Sequence, residues 1–364
     1  MSEANPLAQP TPSAVPTVSK TPQPLTIAGL QVDIYGLAEL PESALSISCL
    51  WLHHPRLRAK EDMADIAHQV LSTYHSSSPS PRRGLVAVAF DQRNHGSRRV
   101  DARANESWRK GNRTHAQDMF GTVSGTVVDN VHLLDALEGY LFGAGHGPAA
   151  LRDGSVGEGQ GRGRRRIDQN IVLGVSLGGH STWQLLFADP RVTAGVAVLG
   201  CPDYMRLIKD RARLSKLETF SQADDGASFL GSRDFPDALV AACGKYDPKG
   251  ILFRTGDVPS LPISDVEQTR LRPLLDARVP GKRLQVLSGD ADKLVPYAAG
   301  APFLDFFKDA ADTWYKDSGV SVEDIVYPGV AHTFTADMRK DAVRFILDTV
   351  ASADDASKAS PSKI

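Results

Sequence analysis

Short runs of apolar residues alternate along this chain with longer segments in which apolar residues recur at helical spacing. The short runs are nearly continuous in apolar character, as expected for strands that are buried on both faces of a sheet. They span residues 46–52, 85–90, 171–175, 195–199, 284–287 and 325–327. The alternation predicts an α/β fold with a mostly parallel central sheet and helices on both of its faces.

The segments between these runs carry apolar stripes typical of amphipathic helices. In residues 60–74 the stripe consists of Met63, Ile66, Val70, Leu71 and Tyr74. After the second strand it consists of Val127, Val131, Leu134, Leu137 and Leu141. The strand at 171–175 leads into a further helix, and Val343, Ile346, Leu347 and Val350 mark a last helix near the end of the chain.

Both ends of the chain and two internal segments interrupt the alternation. Residues 1–22 and 353–364 have few large apolar side chains, so we expect them to be disordered and residues 23–352 to form the α/β domain. Residues 152–166 contain five arginines and many glycines. We expect them to form a solvated surface loop, with contact to phosphate or RNA as the alternative. Residues 203–275 have helical patterns without a strong strand, and we expect them to form a cap over the strand ends.

Composition excludes several classes of function. The 364 residues carry a formal net charge of −2, which gives no general attraction to nucleic acid or anionic lipid. There is no run of 18 apolar residues that would span a membrane, and residues 1–22 lack the features of a secretory signal. Cys49, Cys201 and Cys243 lie far apart. We expect buried free thiols in a reducing compartment such as the cytoplasm, and no metal or cofactor.

The last three residues offer an alternative location. Ser362-Lys363-Ile364 resembles the S-K-L tripeptide that directs proteins to the peroxisome, with isoleucine in place of leucine. If the tripeptide is functional, a peroxisomal import receptor is a partner of this chain. A fluorescent protein fused to the tail that stayed diffuse in the cytosol would contradict this hypothesis.

A serine in a glycine-rich turn is the candidate nucleophile. Residues 174–178 read Gly-Val-Ser-Leu-Gly, directly after the strand at 171–175 and at the start of a helix. This G-x-S-x-G context predicts that Ser176 sits on a sharp strand-to-helix turn with a strained backbone, exposing its hydroxyl at the helix N-terminus. Gly174 and Gly178 allow the chain to pack closely at the turn. The structural alternative is an ordinary helix start with a serine cap.

A serine needs a base, and the base needs an acid to orient it. His332 is the candidate base because it lies in a short loop after a late strand, where Gly329 permits a bend. The acid is expected after the preceding strand, where Asp290 and Asp292 are both available. We favour Asp292 as the acid because it comes just before the chain turns into the next helix, and we assign Asp290 to stabilising the turn. The chain order Ser…Asp…His fits such a triad.

Two backbone amides are candidate donors to an oxyanion. The amide of Leu177 follows the nucleophile, and the second amide is expected in the loop His53-His54-Pro55-Arg56 after the first apolar run. Because Pro55 has no N–H group, we assign the second amide to Arg56. A metal site at His53 and His54 is disfavoured because neighbouring residues of an extended strand point to opposite faces.

Together these motifs resemble the α/β-hydrolase superfamily over residues 45–350. Residues 91–96 also resemble the D-x-R-x-x-G turn of that family, which implies a structural role for Asp91, Arg93 and His95. His180 is expected to pack or hydrogen-bond beside the nucleophile helix. The chain departs from the family at 53–56, where many members carry His-Gly.

The resemblance implies a serine hydrolase that cleaves a carboxylic ester of a small molecule through an acyl-enzyme. Thioesters, lactones and small amides would suit the same residues. A thioesterase or acyltransferase is the first alternative. The second is a non-catalytic binding protein on a hydrolase scaffold. A peptidase of the prolyl oligopeptidase type is disfavoured because no propeller repeat is present.

Overall fold

The computed structural model describes residues 5–8, 16–21, 23–77, 82–143 and 165–359, with side chains to residue 355. Within these residues one eight-stranded sheet forms the centre of the molecule. Its strands are β1 (Leu25–Ile27), β2 (Leu30–Tyr35), β3 (Ser46–His53), β4 (Gly84–Phe90), β5 (Arg166–Val175), β6 (Val192–Val198), β7 (Arg283–Gly289) and β8 (Ser321–Tyr327). Their order in the sheet is β1-β2-β4-β3-β5-β6-β7-β8. The strands from β3 to β8 are parallel, and β1 and β2 are antiparallel, which confirms the predicted fold class.

Nine α-helices occur in the described residues. They are α1 (Ala64–His75), α2 (His115–Phe142), α3 (Leu177–Ala188), α4 (Tyr204–Leu214), α5 (Asp237–Tyr246), α6 (Pro248–Phe253), α7 (Asp265–Asp276), α8 (Tyr297–Asp312) and α9 (Ala336–Ala359). The helical stripes expected from the sequence fall on α1, α2, α3 and α9. None of these helices is long and apolar enough to cross a membrane.

Strand β4 shows how the sheet buries both of its faces. Val86, Val88 and Phe90 point to one side, into the apolar core formed with α2, α3, α6, α7 and α8. The alternate residues Leu85, Ala87 and Ala89 point to the other side, into the core formed with α1 and α9. Successive side chains of a strand point to opposite faces, so a continuous apolar run is what such a strand requires.

The sequence pattern did not predict strands β1 and β2. The apolar residues of β2 alternate with Gln31 and Asp33, so they do not form a continuous run. Asp33 is fully buried and pairs with the ammonium groups of Lys20 and Lys60, at 2.9 and 3.3 Å. Buried charges are tolerated where they are paired, and this pairing hides a strand from a search for apolar runs.

Parts of the segment 1–22 lie within the described residues and make backbone hydrogen bonds to the rest of the chain. Ser19 and Thr21 pair with β2 through backbone hydrogen bonds, to Gly36 and Ile34. The carbonyl oxygen of Pro6 accepts a hydrogen bond from the amide of Phe334 at 2.7 Å. At the other end, α9 continues to Ala359, well into the segment 353–364.

The region 203–275 divides between two packing environments. Helices α4 and α5 pack with the start of α2 and with Leu177 in an apolar cluster of their own. Helices α6 and α7 instead join the main core through Leu252, Leu271 and Leu275. Helices α4 and α5, within 204–246, are therefore the part of this region that packs beside the nucleophile turn. Residues 152–164 and the tripeptide 362–364 lie outside the described residues.

Candidate active site

Ser176 sits on a strained turn between β5 and α3. Its backbone angles are φ 56° and ψ −110°, a conformation that costs energy for any residue with a side chain. The turn is closed by contacts that only glycine permits. A Cβ atom on Gly174 would lie 2.0 Å from the carbonyl oxygen of Gly178. A Cβ atom on Gly178 would lie 2.1 Å from the carbonyl oxygen of His53. These contacts fit the sharp turn that the G-x-S-x-G pattern predicts.

We expect Gly178→Ala to destabilise the protein by about 3 kcal/mol or more, because backbone rather than a flexible side chain blocks the new methyl group. Gly121→Ala on α2 is the matched control, since an added Cβ there meets nothing within 4 Å. Alanine also favours a helix over glycine by about 1 kcal/mol, so the control is expected to stabilise. Chemical denaturation measures both changes. Equal effects of the two substitutions would contradict the close packing at the turn.

The predicted nucleophile, base and acid come together at the carboxyl ends of β5, β7 and β8. The hydroxyl oxygen of Ser176 lies 2.8 Å from Nε2 of His332. Nδ1 of the same ring lies 2.7 Å from Oδ2 of Asp292. Asp292 has a fully buried side chain, and His332 is 8% exposed. In this arrangement the ring can accept the serine proton at Nε2 while its Nδ1–H group donates to the carboxylate.

The two candidate acids have different surroundings. Asp292 Oδ1 accepts hydrogen bonds from the amides of Leu294 and Val295, at 2.8 and 3.0 Å, so its carboxylate is held with Oδ2 towards His332. Asp290 Oδ1 accepts a hydrogen bond from the amide of Gly329 at 2.6 Å. Gly329 has φ 70°, as the bend before the histidine requires. Asp290 therefore contacts the loop that carries His332 and not the ring itself.

The predicted oxyanion residues line the same cavity as the serine. Leu177 opens α3, and Pro55 and Arg56 lie in the loop after β3. His54 holds this loop in place. Its Nε2 accepts a hydrogen bond from the amide of Gln92 at 3.0 Å, so its proton is on Nδ1, which donates to the carbonyl of Pro55 at 2.8 Å. Burial lowers the pKa of His54 to about 3, and the ring stays neutral.

His53 is also buried, and both of its ring nitrogens make hydrogen-bond contacts within the fold. Its ring nitrogens contact the Ser181 hydroxyl at 2.8 Å and the Asn130 amide oxygen at 2.7 Å. Burial lowers its pKa to about 4. No group of three His, Cys, Asp or Glu residues in the described parts of the chain is placed to hold a metal ion.

The turn that follows β4 braces the core. The Asp91 carboxylate accepts hydrogen bonds from the amides of Lys60 and Ser97, both at 2.9 Å. Arg93 and Arg98 both pair with Asp129 on α2. His95 is buried and contacts the carbonyl of Arg93 at 2.9 Å. These contacts are those of a structural turn, as the resemblance implies.

The cavity beside Ser176 is small and has a mixed lining. Its volume is about 40 Å³, roughly three times what one water molecule needs. It is lined by Pro6, Pro55, Arg56, Met119, Ser176, Leu177, His180, Arg211, Leu294 and His332. Sequence reasoning named the loop and triad residues and His180, but it missed Pro6, Met119, Arg211 and Leu294. These four come from segments that are distant along the chain and carry no motif.

Comparison with known proteins supports the architecture. No protein-family model matches the sequence, and no curated protein is detectably similar to it. Among solved structures, TT1662 from Thermus thermophilus superposes with a TM-score of 0.52 and 18% identity, over 92% of this chain and 98% of its own. A puromycin-hydrolysing peptidase from Mycobacterium tuberculosis superposes with a TM-score of 0.50 and 13% identity, over 89% of this chain. The match spans 37% of that peptidase's length. Together with the sheet order and the strand–turn–helix at Ser176, these likenesses identify the fold of this chain as the α/β-hydrolase fold.

Proposed function

We propose that the protein is a serine hydrolase that cleaves a carboxylic ester of a small molecule through an acyl-enzyme. The observation that carries the proposal is the continuous hydrogen-bonded chain from Ser176 through His332 to Asp292. Three side chains from separate loops meet here at hydrogen-bond distances, on a backbone turn that is itself strained. Such convergence is what nucleophilic catalysis by a serine requires.

In the proposed reaction each group has one step. His332 takes the serine proton as Ser176 attacks the ester carbonyl, and the amides of Leu177 and Arg56 are assigned to the oxyanion. The Asp292 carboxylate stabilises the imidazolium that forms. His332 then returns the proton to the departing alcohol. Water, activated by the same ring, hydrolyses the acyl-enzyme and regenerates the serine.

The same groups would also cleave thioesters or small amides. The puromycin-hydrolysing peptidase shares this fold. Its sequence identity to this chain is too low to assign its substrate to this chain. A thioesterase, an acyltransferase and a non-catalytic binding protein stay alternatives. A panel of p-nitrophenyl esters of increasing acyl length tests ester cleavage directly. The small cavity leads us to expect a preference for short acyl groups.

We expect a fluorophosphonate probe to label the native protein and to leave Ser176→Ala unlabelled, because the probe reacts with serines that a base activates. Ser72→Ala on α1 is one control and is expected to label like wild type. Heat-unfolded protein is a second control and is expected not to react with the probe. Labelling is read as probe fluorescence per mole of protein after electrophoresis. Labelling that persists in Ser176→Ala, or is missing from the native protein, would overturn the proposed function.

A further inference from the structure

Residues 5–8, which read Asn-Pro-Leu-Ala, form a tight turn that lies against the loop after His332. The carbonyl oxygen of Asn5 accepts a hydrogen bond from the amide of Ala8 at 3.1 Å, and its side-chain oxygen accepts one from the amide of Leu7 at 3.0 Å. Asparagine at the first position of a β-turn and proline at the second both favour this conformation. The 5–8 turn therefore owes its shape to its own residues.

A hydrogen bond and an apolar contact hold the 5–8 turn in place. The carbonyl oxygen of Pro6 accepts a hydrogen bond from the amide of Phe334 at 2.7 Å, two residues after His332. The half-buried side chain of Leu7 packs against the apolar core that includes Phe334 and lies beside α1 and α9. Pro6 itself is buried. The turn is thus attached to the loop that carries the candidate base.

Pro6 is suited to border a cavity that receives hydrocarbon. It lines the cavity beside Ser176. Its ring nitrogen has no hydrogen, and its carbonyl oxygen is bonded to the amide of Phe334. Pro6 can therefore lie at the cavity without leaving a buried polar group unpaired. Towards a substrate it contributes the bulk of an apolar ring and no hydrogen-bond donor.

The other residues around this cavity include parts of the catalytic framework. Ser176, Leu177 and His180 lie on the nucleophile turn and α3, and Met119 lies on α2. Pro6 lies before β1, outside the described strands and helices. The cavity has a volume of about 40 Å³ with the 5–8 turn in place, so a long acyl chain fits only if part of the wall is displaced. The turn is the part that can be removed without altering the sheet or the nucleophile helix.

We propose that Pro6 is a specificity-determining residue, which limits the length of the acyl chain that the cavity accepts. This inference rests on the proposed ester hydrolysis and names the residue that sets its size limit. The ring of Pro6 fills space that a longer acyl chain would need, and the hydrogen bond from Phe334 holds the ring there. Removing the 5–8 turn would enlarge the cavity and leave the contact between Ser176 and His332 in place.

The first test removes the turn and measures the preference for chain length. The readout is the ratio of kcat/KM for p-nitrophenyl hexanoate to that for p-nitrophenyl butanoate. Each methylene group that gains a buried place contributes about 4-fold to kcat/KM, so two of them contribute roughly 15-fold. In a variant that lacks residues 2–8, the ratio is therefore expected to rise roughly 10-fold over wild type. A variant that lacks only residues 2–4 keeps the turn and is the matched control, with the wild-type ratio expected.

Pro6→Gly tests the ring alone and does not depend on a truncated chain. Glycine keeps the carbonyl that accepts from Phe334 and leaves Leu7 in place, while the ring is lost. The ratio is expected to rise, by less than in the variant without the turn. Ala8→Gly is the matched control, since this side chain is exposed on the same turn, and it is expected to leave the ratio unchanged. An equal loss of kcat for both esters, at an unchanged ratio, would mean that the turn only positions the His332 loop and would overturn the inference.

A third measurement needs no catalysis and separates this inference from the proposed function. Calorimetry measures the binding of hexanamide, a neutral analogue of the hexanoyl ester, to Ser176→Ala with and without residues 2–8. Tighter binding without the turn supports the role of Pro6 even if no ester is cleaved. Binding that is equal in the two proteins, or undetectable in both, overturns it. Ser176-dependent hydrolysis with one chain-length ratio in wild type, Pro6→Gly and the truncated variant also overturns it, and leaves the hydrolase standing.

Discussion

Replacing Asp292 with asparagine is expected to lower kcat for ester hydrolysis about 10⁴-fold while leaving the fold intact. The backbone amides of Leu294 and Val295 donate to Asp292 Oδ1 and would continue to donate to the amide oxygen of an asparagine. The NH₂ group would then face Nδ1 of His332, where Oδ2 now lies at 2.7 Å. Nδ1 would accept instead of donating, so the ring proton would move to Nε2. A ring protonated at Nε2 cannot take the proton from Ser176.

Asp290→Asn is the matched control for this substitution. It changes the same atoms two residues earlier in the same turn, and the asparagine oxygen can still accept the hydrogen bond from Gly329. We expect only a small loss of kcat, together with an unchanged pH profile. Steady-state rates with one p-nitrophenyl ester, measured for both variants, decide between the two carboxylates. A large loss in Asp290→Asn and a small one in Asp292→Asn would assign the acid to the other residue.

The sequence predicted the layers of the fold because the core strands carry their own signal. A strand such as β4, which is buried on both faces, must be apolar throughout, and this distinguishes it from its surroundings. The turn at Ser176 carries a signal for a similar reason, since the backbone contacts around Gly174 and Gly178 leave no room for a side chain. Features that local backbone geometry or burial imposes on neighbouring residues can therefore be predicted from the sequence.

Features that depend on distant partners were not visible. Strand β2 contains a buried aspartate, Asp33, whose desolvation is compensated by ion pairs with Lys20 and Lys60. The pattern of apolar and polar residues in β2 therefore resembles that of an exposed segment. Arg211 lies on an amphipathic helix with other arginines, and only the packing of α4 shows that this one reaches the cavity while Arg213 does not. Pro6 belongs to a segment whose composition indicates disorder, yet its carbonyl bonds to the loop after His332.

Acidification is expected to cause a large loss of stability, because the fold holds four histidines in their neutral form. Burial lowers the pKa of each well below the ordinary value, to about 4 for His53 and about 3 for His54, His115 and His180. In the unfolded chain each would have a pKa of about 6.5. The unfolded state therefore binds more protons below pH 6.5. The stabilisation is complete above this pH and is lost as the pH falls from 6.5 towards the folded pKa, by about 2 kcal/mol per histidine at pH 5.

Two buried carboxylates act in the opposite direction. Burial raises the pKa of Asp203, and burial together with the charge of Asp203 raises the pKa of Asp247. These groups bind protons in the folded state at a pH where the unfolded chain has lost them, so they reduce the total loss in acid. The slope of unfolding free energy against pH therefore sums the contributions of all these groups. The contribution of one histidine is found by comparing wild type with a variant that lacks it.

His115→Asn isolates that contribution. Nδ1 of His115 lies 2.9 Å from the carbonyl of Glu106, and the asparagine NH₂ group can donate to the same oxygen. Without the imidazole, the unfolded chain binds about one proton fewer at pH 5.5, so the slope of unfolding free energy against pH falls by about 1.4 kcal/mol per pH unit. The control is Ser72→Ala on α1, which removes no ionisable group, so the slope is expected to stay as in wild type. Urea unfolding between pH 5 and 8 measures the slopes. Parallel curves for wild type and His115→Asn would mean that this ring is not held neutral by burial.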